Sequence, residues 1–160
     1  MWSPLSSRVN GSPRSPAALR VIWAEDSDSD QYLIKAAVTG TPYESSIQFA
    51  LDGEKALREL SKGRPTGIVL DVNLPNLDGI TALKRIRERH GDVPVIMFST
   101  ANEPHQVQEC RDMGILAYAV KPVDYEVFCV VVKGILAHLA GEAILDNPFI
   151  VSPASKHETD

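Results

Sequence analysis

Gly67-Ile68-Val69-Leu70-Asp71-Val72-Asn73-Leu74-Pro75-Asn76-Leu77-Asp78-Gly79 is the stretch whose reading decides the fold. A short uncharged run ends at a carboxylate, and a turn of Asn, Pro, Asp and Gly follows at once. An apolar run bounded by turn formers reads as a strand buried on both faces, which implies a parallel sheet. In open parallel sheets, ligands and chemistry collect beyond the carboxyl ends of the strands. Asp71 stands at such an end, so the rest of the chain is read for groups that reach it.

Upstream, Leu19 to Ala24 is a compact apolar run that predicts a first strand. Glu25 and Asp26 follow, then Ser27, Asp28, Ser29 and Asp30, side chains suited to starting a helix. Asp28 and Asp30 are assigned as caps and nothing more. Leu33, Ile34, Ala37 and Val38 recur at helical spacing, closed by Gly40 and Pro42. Ser45 to Leu51 is a weaker strand, Asp52 and Gly53 a turn, and Glu54 to Leu60 a helix.

Downstream of Asp71, Ile80 to Arg89 predicts an amphipathic helix, with Ile80, Leu83 and Ile86 inward and Lys84, Arg85, Arg87 and Glu88 outward. Val95 to Phe98 is a strand ending at Ser99 and Thr100, and Glu103 to Met113 a short polar helix. Ala117 to Val120 is the last strand, ending at Lys121 and Pro122. Asp124 caps a long helix to Leu139 whose centre, Val127 to Val132, is apolar nearly all round. β-Branched residues there are mediocre helix formers, yet strand–helix alternation favours helix. Such a helix buries one face and offers the other to a partner, here a second copy of the chain.

Five strands alternating with five helices predict an α/β domain of (βα)5 type, a doubly wound parallel sheet with helices on both faces. The expected organisation is a leader over residues 1–18, a single domain over 19–141 and a C-terminal tail over 142–160. The leader is rich in Ser and Pro and carries Arg8 and Arg14 without an acid. Its prolines break any amphipathic helix, so it reads as disordered rather than as a targeting segment. In the tail, Phe149, Ile150 and Val151 are the anchors of a segment either loose or laid across a neighbour. No output region is expected after the last helix, so the domain reads as a stand-alone unit.

At 160 residues, 44% hydrophobic, 23% charged and with net charge −5, the chain has the composition of a soluble globular protein. No basic stripe suits nucleic acid, and no apolar run reaches the roughly 18 residues of a membrane span. Cys110 and Cys129 fit neither a disulfide framework nor a zinc site, which suggests free thiols in a reducing cytoplasm.

In a parallel sheet the carboxyl ends of the strands share one edge, which places Glu25, Asp26, Asp71, Ser99 and Lys121 on one rim. Crowded carboxylates repel unless a cation joins them, and Mg2+, hard and oxygen-loving, is the natural candidate. A metal-bridged carboxylate beside a fixed lysine suits phosphoryl transfer. Asp71 is then the nucleophile that forms an acyl phosphate, with Lys121, Ser99 and the ion neutralising the equatorial oxygens.

Taken together, these segments resemble the receiver domain of two-component response regulators, from Leu19 to Leu139. The resemblance rests on the acidic pair Glu25 and Asp26, the segment Asp71 to Gly79, Ser99 after its strand, and Lys121 with Pro122. It implies a flavodoxin-like strand order 2-1-3-4-5, like that of the chemotaxis receiver. It also implies Asp71 as phosphoacceptor, Asp26 and the backbone carbonyl of Asn73 as direct Mg2+ ligands, and Glu25 acting through water. Ser99 becomes the switch hydroxyl, Tyr118 the aromatic that turns inward with it, and the Lys121–Pro122 bond is expected to be cis. Thr100 departs from the small residue usual after the switch hydroxyl and is expected to narrow access to Asp71.

Blander readings stand beside these. Glu25 to Asp30 can be a solvated cap, Tyr118 a core residue and Lys121 a surface charge. Asp26, Asp28 and Asp30 mimic a calcium loop, but Gln31 and Ala37 stand where that loop needs Gly and Glu. An aspartyl phosphohydrolase resembles Asp-x-Asp, and here Asn73 takes the second place and cannot act as an acid. The function expected is phosphoryl acceptance from a sensor histidine kinase and signalling by protein contact. That contact is assigned to the face from Glu103 to Gly114 and the last helix, with a homodimer through that helix and the tail. A phosphorelay intermediate and a non-signalling dimerisation scaffold are the alternatives. Beyond self-phosphorylation and slow self-dephosphorylation, no enzyme activity is expected.

Overall fold

The computed structural model describes residues 19–142 and 150–151. Within them the chain alternates strand and helix: β1 (Val21–Ala24), α1 (Asp28–Val38), β2 (Ile47–Ala50), α2 (Gly53–Leu60), β3 (Gly67–Leu70), α3 (Gly79–His90), β4 (Val95–Ser99), α4 (Pro104–Asp112), β5 (Ala117–Val120), α5 (Tyr125–Leu139) and β6 (Ile150–Val151). The first five strands are parallel in the order 2-1-3-4-5, the flavodoxin-like arrangement.

The two faces of the sheet follow from the two-residue period of a strand. Ile22, Ala24, Ile68, Leu70, Val95 and Met97 point to the side covered by α2, α3 and α4. Val21, Trp23, Val69, Ile96 and Phe98 point to the side covered by α1 and α5. Because both faces are covered, β1, β3 and β4 are buried throughout, which explains their unbroken apolar runs. The Val127 to Val132 segment is helical, and α5 buries Phe128, Val131, Val132, Ile135, Leu136 and Leu139 while Val130 stands exposed.

Helix starts are set by side chains that accept orphan backbone N–H groups. Ser27 caps α1, Asp52 caps α2, Asp78 caps α3 and Asp124 caps α5. The cap of α1 is therefore Ser27, with Asp28 and Asp30 inside its first turn, which corrects the assignment of those two acids as caps. Arg87 is a second correction. Its guanidinium turns inward to donate to the carbonyls of Gly91, Val93, Met113 and Gly114, tying α3 to the end of α4.

The sixth strand was not expected. Ile150 and Val151 pair antiparallel with Ala119 and Tyr118, so this part of the tail extends the domain's own sheet. A free β5 edge leaves unpaired backbone groups, and the added strand satisfies them. The leader, Phe149 and the remaining tail residues of 143–148 and 152–160 lie outside the described residues.

Candidate functional site

Strand register builds the rim. Ala24 lies opposite Leu70, so the next residues, Glu25 and Asp71, leave the sheet side by side. Asp71 N–H donates to the Ala24 carbonyl, and Lys121 N–H donates to that of Ser99 at 2.9 Å. Those two ties fix the backbone from which every key side chain departs.

The Asp71 carboxylate is buried and fully engaged. Its Oδ1 accepts the Ser99 hydroxyl at 2.7 Å and the Asn73 backbone N–H at 3.0 Å. Its Oδ2 accepts the Lys121 ammonium at 2.7 Å. Lys121 Nζ also donates to Glu25 Oε1 at 2.6 Å and to Asp30 Oδ2 at 2.7 Å. An ammonium has three protons. All three are used on carboxylates.

Charge and burial oppose each other at this point. Burial works against the Lys121 charge, but the hydrogen bonds it donates to Asp30 and Asp71, the Asp71 charge and the bond it donates to Glu25 together push its pKa above the ordinary lysine value. Burial raises Glu25, against the pull of Lys121 and the Ser27 N–H. Tyr118 is buried, and its phenol is pushed up to about 12, mainly by that burial. Its hydroxyl donates to the Ala101 carbonyl, in the loop after Ser99, whose own N–H donates to Ser99 Oγ at 3.1 Å.

The loop after Asp71 is held from three sides. Gly79 N–H donates to the Val72 carbonyl at 2.9 Å, and a Cβ on Gly79 would lie 1.9 Å from the Asp71 carbonyl oxygen. Asn76 adopts a left-handed backbone, φ 64°, and its side-chain amide donates to Asp52 Oδ2 at 2.8 Å. That bond and the Lys55 N–H hold the Asp52 carboxyl below its usual range, the backbone bond being the larger cause. Leu74 and Leu77 are buried beneath the loop.

Of the residues expected at the rim, Glu25, Asp71, Ser99 and Lys121 meet directly. Asp26 and Asn73 stand beside them, exposed. Tyr118 faces inward. Asp30 is the residue that sequence reasoning missed; its place in the first turn of a helix that starts above the rim is the signal that could have found it, since helical side chains lean toward the N-terminus. One expectation is overturned: no peptide bond among the described residues is cis, so Lys121–Pro122 is trans. Trans is the ordinary preference even before proline, and Lys121 reaches Asp71 from it. Thr100 is exposed, lining a groove of about 360 Å³ with Asp30, Leu33, Lys121, Pro122, Val123, Tyr125 and Phe128.

Among the described residues no three acidic, histidine or cysteine side chains are pre-arranged as a metal cluster, because Glu25, Asp30 and Asp71 converge on an ammonium instead. The donor set is nonetheless all oxygen and outweighs the single lysine in charge. That chemistry fits a hard divalent cation.

Residues 21–133 match the family description "Response regulator receiver domain". The protein-glutamate methylesterase/protein-glutamine glutaminase of Nocardioides sp. (strain ATCC BAA-499 / JS614) is 31% identical over 108 residues, which cover 66% of this chain and 30% of that protein. The transcriptional regulatory protein PrrA of Mycobacterium tuberculosis (strain ATCC 25618 / H37Rv) is 37% identical over 76 residues, 48% of this chain and 33% of the relative. The chain thus spans about a third of the length of these two relatives. Among solved structures, the phosphorylated cyanobacterial phytochrome response regulator RcpA superposes with a TM-score of 0.71 at 26% identity, covering 81% of this chain and 100% of that one. The chemotaxis response regulator CheY4 of Vibrio cholerae does so with a TM-score of 0.60 at 27% identity, covering 72% and 96%. A match over most of the chain, joined to this fold and this rim, makes the protein a member of the response regulator receiver domain family of two-component systems.

Proposed function

We propose that this chain is a phosphorylation switch in which Asp71 takes a phosphoryl group from the phosphohistidine of a sensor kinase. The observation that carries the reading is Asp71 itself, a carboxylate set between the Ser99 hydroxyl and the Lys121 ammonium. In the transfer, an Asp71 oxygen forms a bond to phosphorus as the phosphorus–nitrogen bond of the donor breaks, and the released electron pair stays on the imidazole. Lys121 and Ser99 then hydrogen-bond the phosphoryl oxygens, which places their positive ends where charge builds up. Asp26, Asp71, the Asn73 carbonyl and Glu25 are the groups that would hold Mg2+, which would supply further positive charge to those oxygens.

Movement of Ser99 toward the phosphoryl group draws on the Ala101 N–H and, through the Ala101 carbonyl, on Tyr118. Helix α4 follows this loop and buries only Cys110, so it is the weakly anchored element suited to changing its contacts. Output is by protein contact through α4 and α5, with Val130 on the outer side of α5 available to a second copy of the chain. A cytoplasmic location fits this chemistry, and among the described residues no helix is long and apolar enough to cross a membrane.

The test is incubation with acetyl phosphate and Mg2+, read by intact mass. One added phosphoryl group, lost in Asp71→Asn and in the presence of a chelator, supports the reading. A wild-type protein that gains none supports the scaffold alternative, and continuous phosphate release supports a hydrolase.

A further inference from the structure

Lys121 spends its three protons on three carboxylates, and those carboxylates are not equivalent. The Glu25 and Asp71 side chains are 1% and 8% exposed, whereas that of Asp30 is 27% exposed. A phosphoryl group on Asp71 brings three acceptor oxygens to an ammonium whose protons are all engaged; the modified Asp71 releases one of them, so a second bond to the phosphoryl group must be taken from Glu25 or Asp30. Breaking the bond to Glu25 leaves a buried carboxylate short of a partner, which is costly. Breaking the bond to Asp30 leaves a carboxylate that water can reach.

We infer that Asp30 is the exchangeable partner of Lys121: it holds the ammonium while Asp71 is free and hands that hydrogen bond to a phosphoryl oxygen once Asp71 is modified. Asp30 is thus a positioning residue that acts through Lys121 and sets the balance between the two forms. It also lines the groove beside Thr100, Pro122, Val123 and Tyr125, so its release changes that wall. This rests on the phosphoacceptor reading of Asp71.

The test uses beryllofluoride, a phosphoryl mimic, at saturating Mg2+ with the full chain, its binding followed by fluorine NMR. Asp30→Asn removes the charge that competes for Lys121 and is expected to bind the mimic roughly two- to fivefold more tightly than wild type, the range of a partly exposed ion pair. Asp28→Asn is the control, since Asp28 carries the same charge in the same exposed turn without touching Lys121. It is expected to change binding less. A second readout is the nitrogen-resolved NMR signal of the Lys121 ammonium without the mimic, which is expected to exchange with water faster in Asp30→Asn than in wild type. Equal effects of the two substitutions, or an unchanged ammonium signal, overturn the inference while leaving Asp71 as acceptor. A wild-type protein that does not bind the mimic overturns both.

Discussion

The Ser99 hydroxyl donates to Asp71 Oδ1 across 2.7 Å, with both side chains buried. The same hydroxyl accepts the Ala101 N–H, so one oxygen joins the acceptor carboxylate to the loop that leads into α4. Ser99→Ala removes both bonds. Phosphorylation by acetyl phosphate is expected to slow by roughly a hundred- to a thousandfold, as for loss of one donor to a developing charge. Stability is expected to fall by only about 1 kcal/mol. Stopped-flow phosphorylation together with urea melts separates the two effects. Thr100 cannot take over, because its side chain lies at the exposed rim.

Gly79→Ala sets a Cβ 1.9 Å from the Asp71 carbonyl oxygen and 2.9 Å from Val72 Cα. Neither neighbour is a flexible side-chain tip, so the backbone under Asp71 has to move. The expected cost is about 1–3 kcal/mol, with a loss of phosphorylation larger than the loss of folded protein accounts for. Gly53→Ala is the comparison: its Cβ meets the Leu77 carbonyl at 2.4 Å, so it strains the loop away from the carboxylate. Parallel melts and phosphorylation assays check this. Equal damage to activity from both variants counts against a direct effect on Asp71.

Arg87 donates to four carbonyls from the side of α3. Arg87→Ala leaves those acceptors to find water and is expected to cost about 2–3 kcal/mol, with each bond contributing modestly. Arg87→Lys is expected to recover little, since one ammonium cannot reproduce the fork. Hydrogen exchange is expected to rise first at the end of α4, because these bonds hold the Met113 and Gly114 carbonyls that follow it.

Glu25 contributes a pH dependence of its own. Burial is the main cause holding its pKa above 4.5, the value for an unperturbed glutamate. Between 4.5 and that raised value the folded chain binds more proton than the unfolded one, so this group's contribution to stability falls as pH rises through the window. Glu25→Gln removes the titration. Relative to wild type, the variant is expected to gain stability as pH rises above about 4.5, measured by urea melts at stepped pH. A steeper loss in the variant contradicts the burial account.

Much of the fold was legible because each signal was local. The apolar runs of β1, β3 and β4 reflect burial on both faces, and Ser27, Asp52, Asp78 and Asp124 mark helix starts by chemistry that acts within three residues. The rim was legible for a related reason: a parallel sheet brings strand ends to one edge whatever the loops do. Asp30 and Arg87 escaped notice because each side chain acts on residues far along the chain, Lys121 in one case and Met113 and Gly114 in the other.

What the amino-acid order alone determined was therefore the alternation of strands and helices and the set of carboxylates at one edge, since period and capping are properties of neighbouring residues. Only the tertiary structure decided that Lys121 divides its three protons among Glu25, Asp30 and Asp71, that Lys121–Pro122 is trans, and that Ile150–Val151 extends the sheet beyond β5. Those outcomes depend on which groups meet across long stretches of chain and on how deeply each is buried, and residue spacing carries neither quantity.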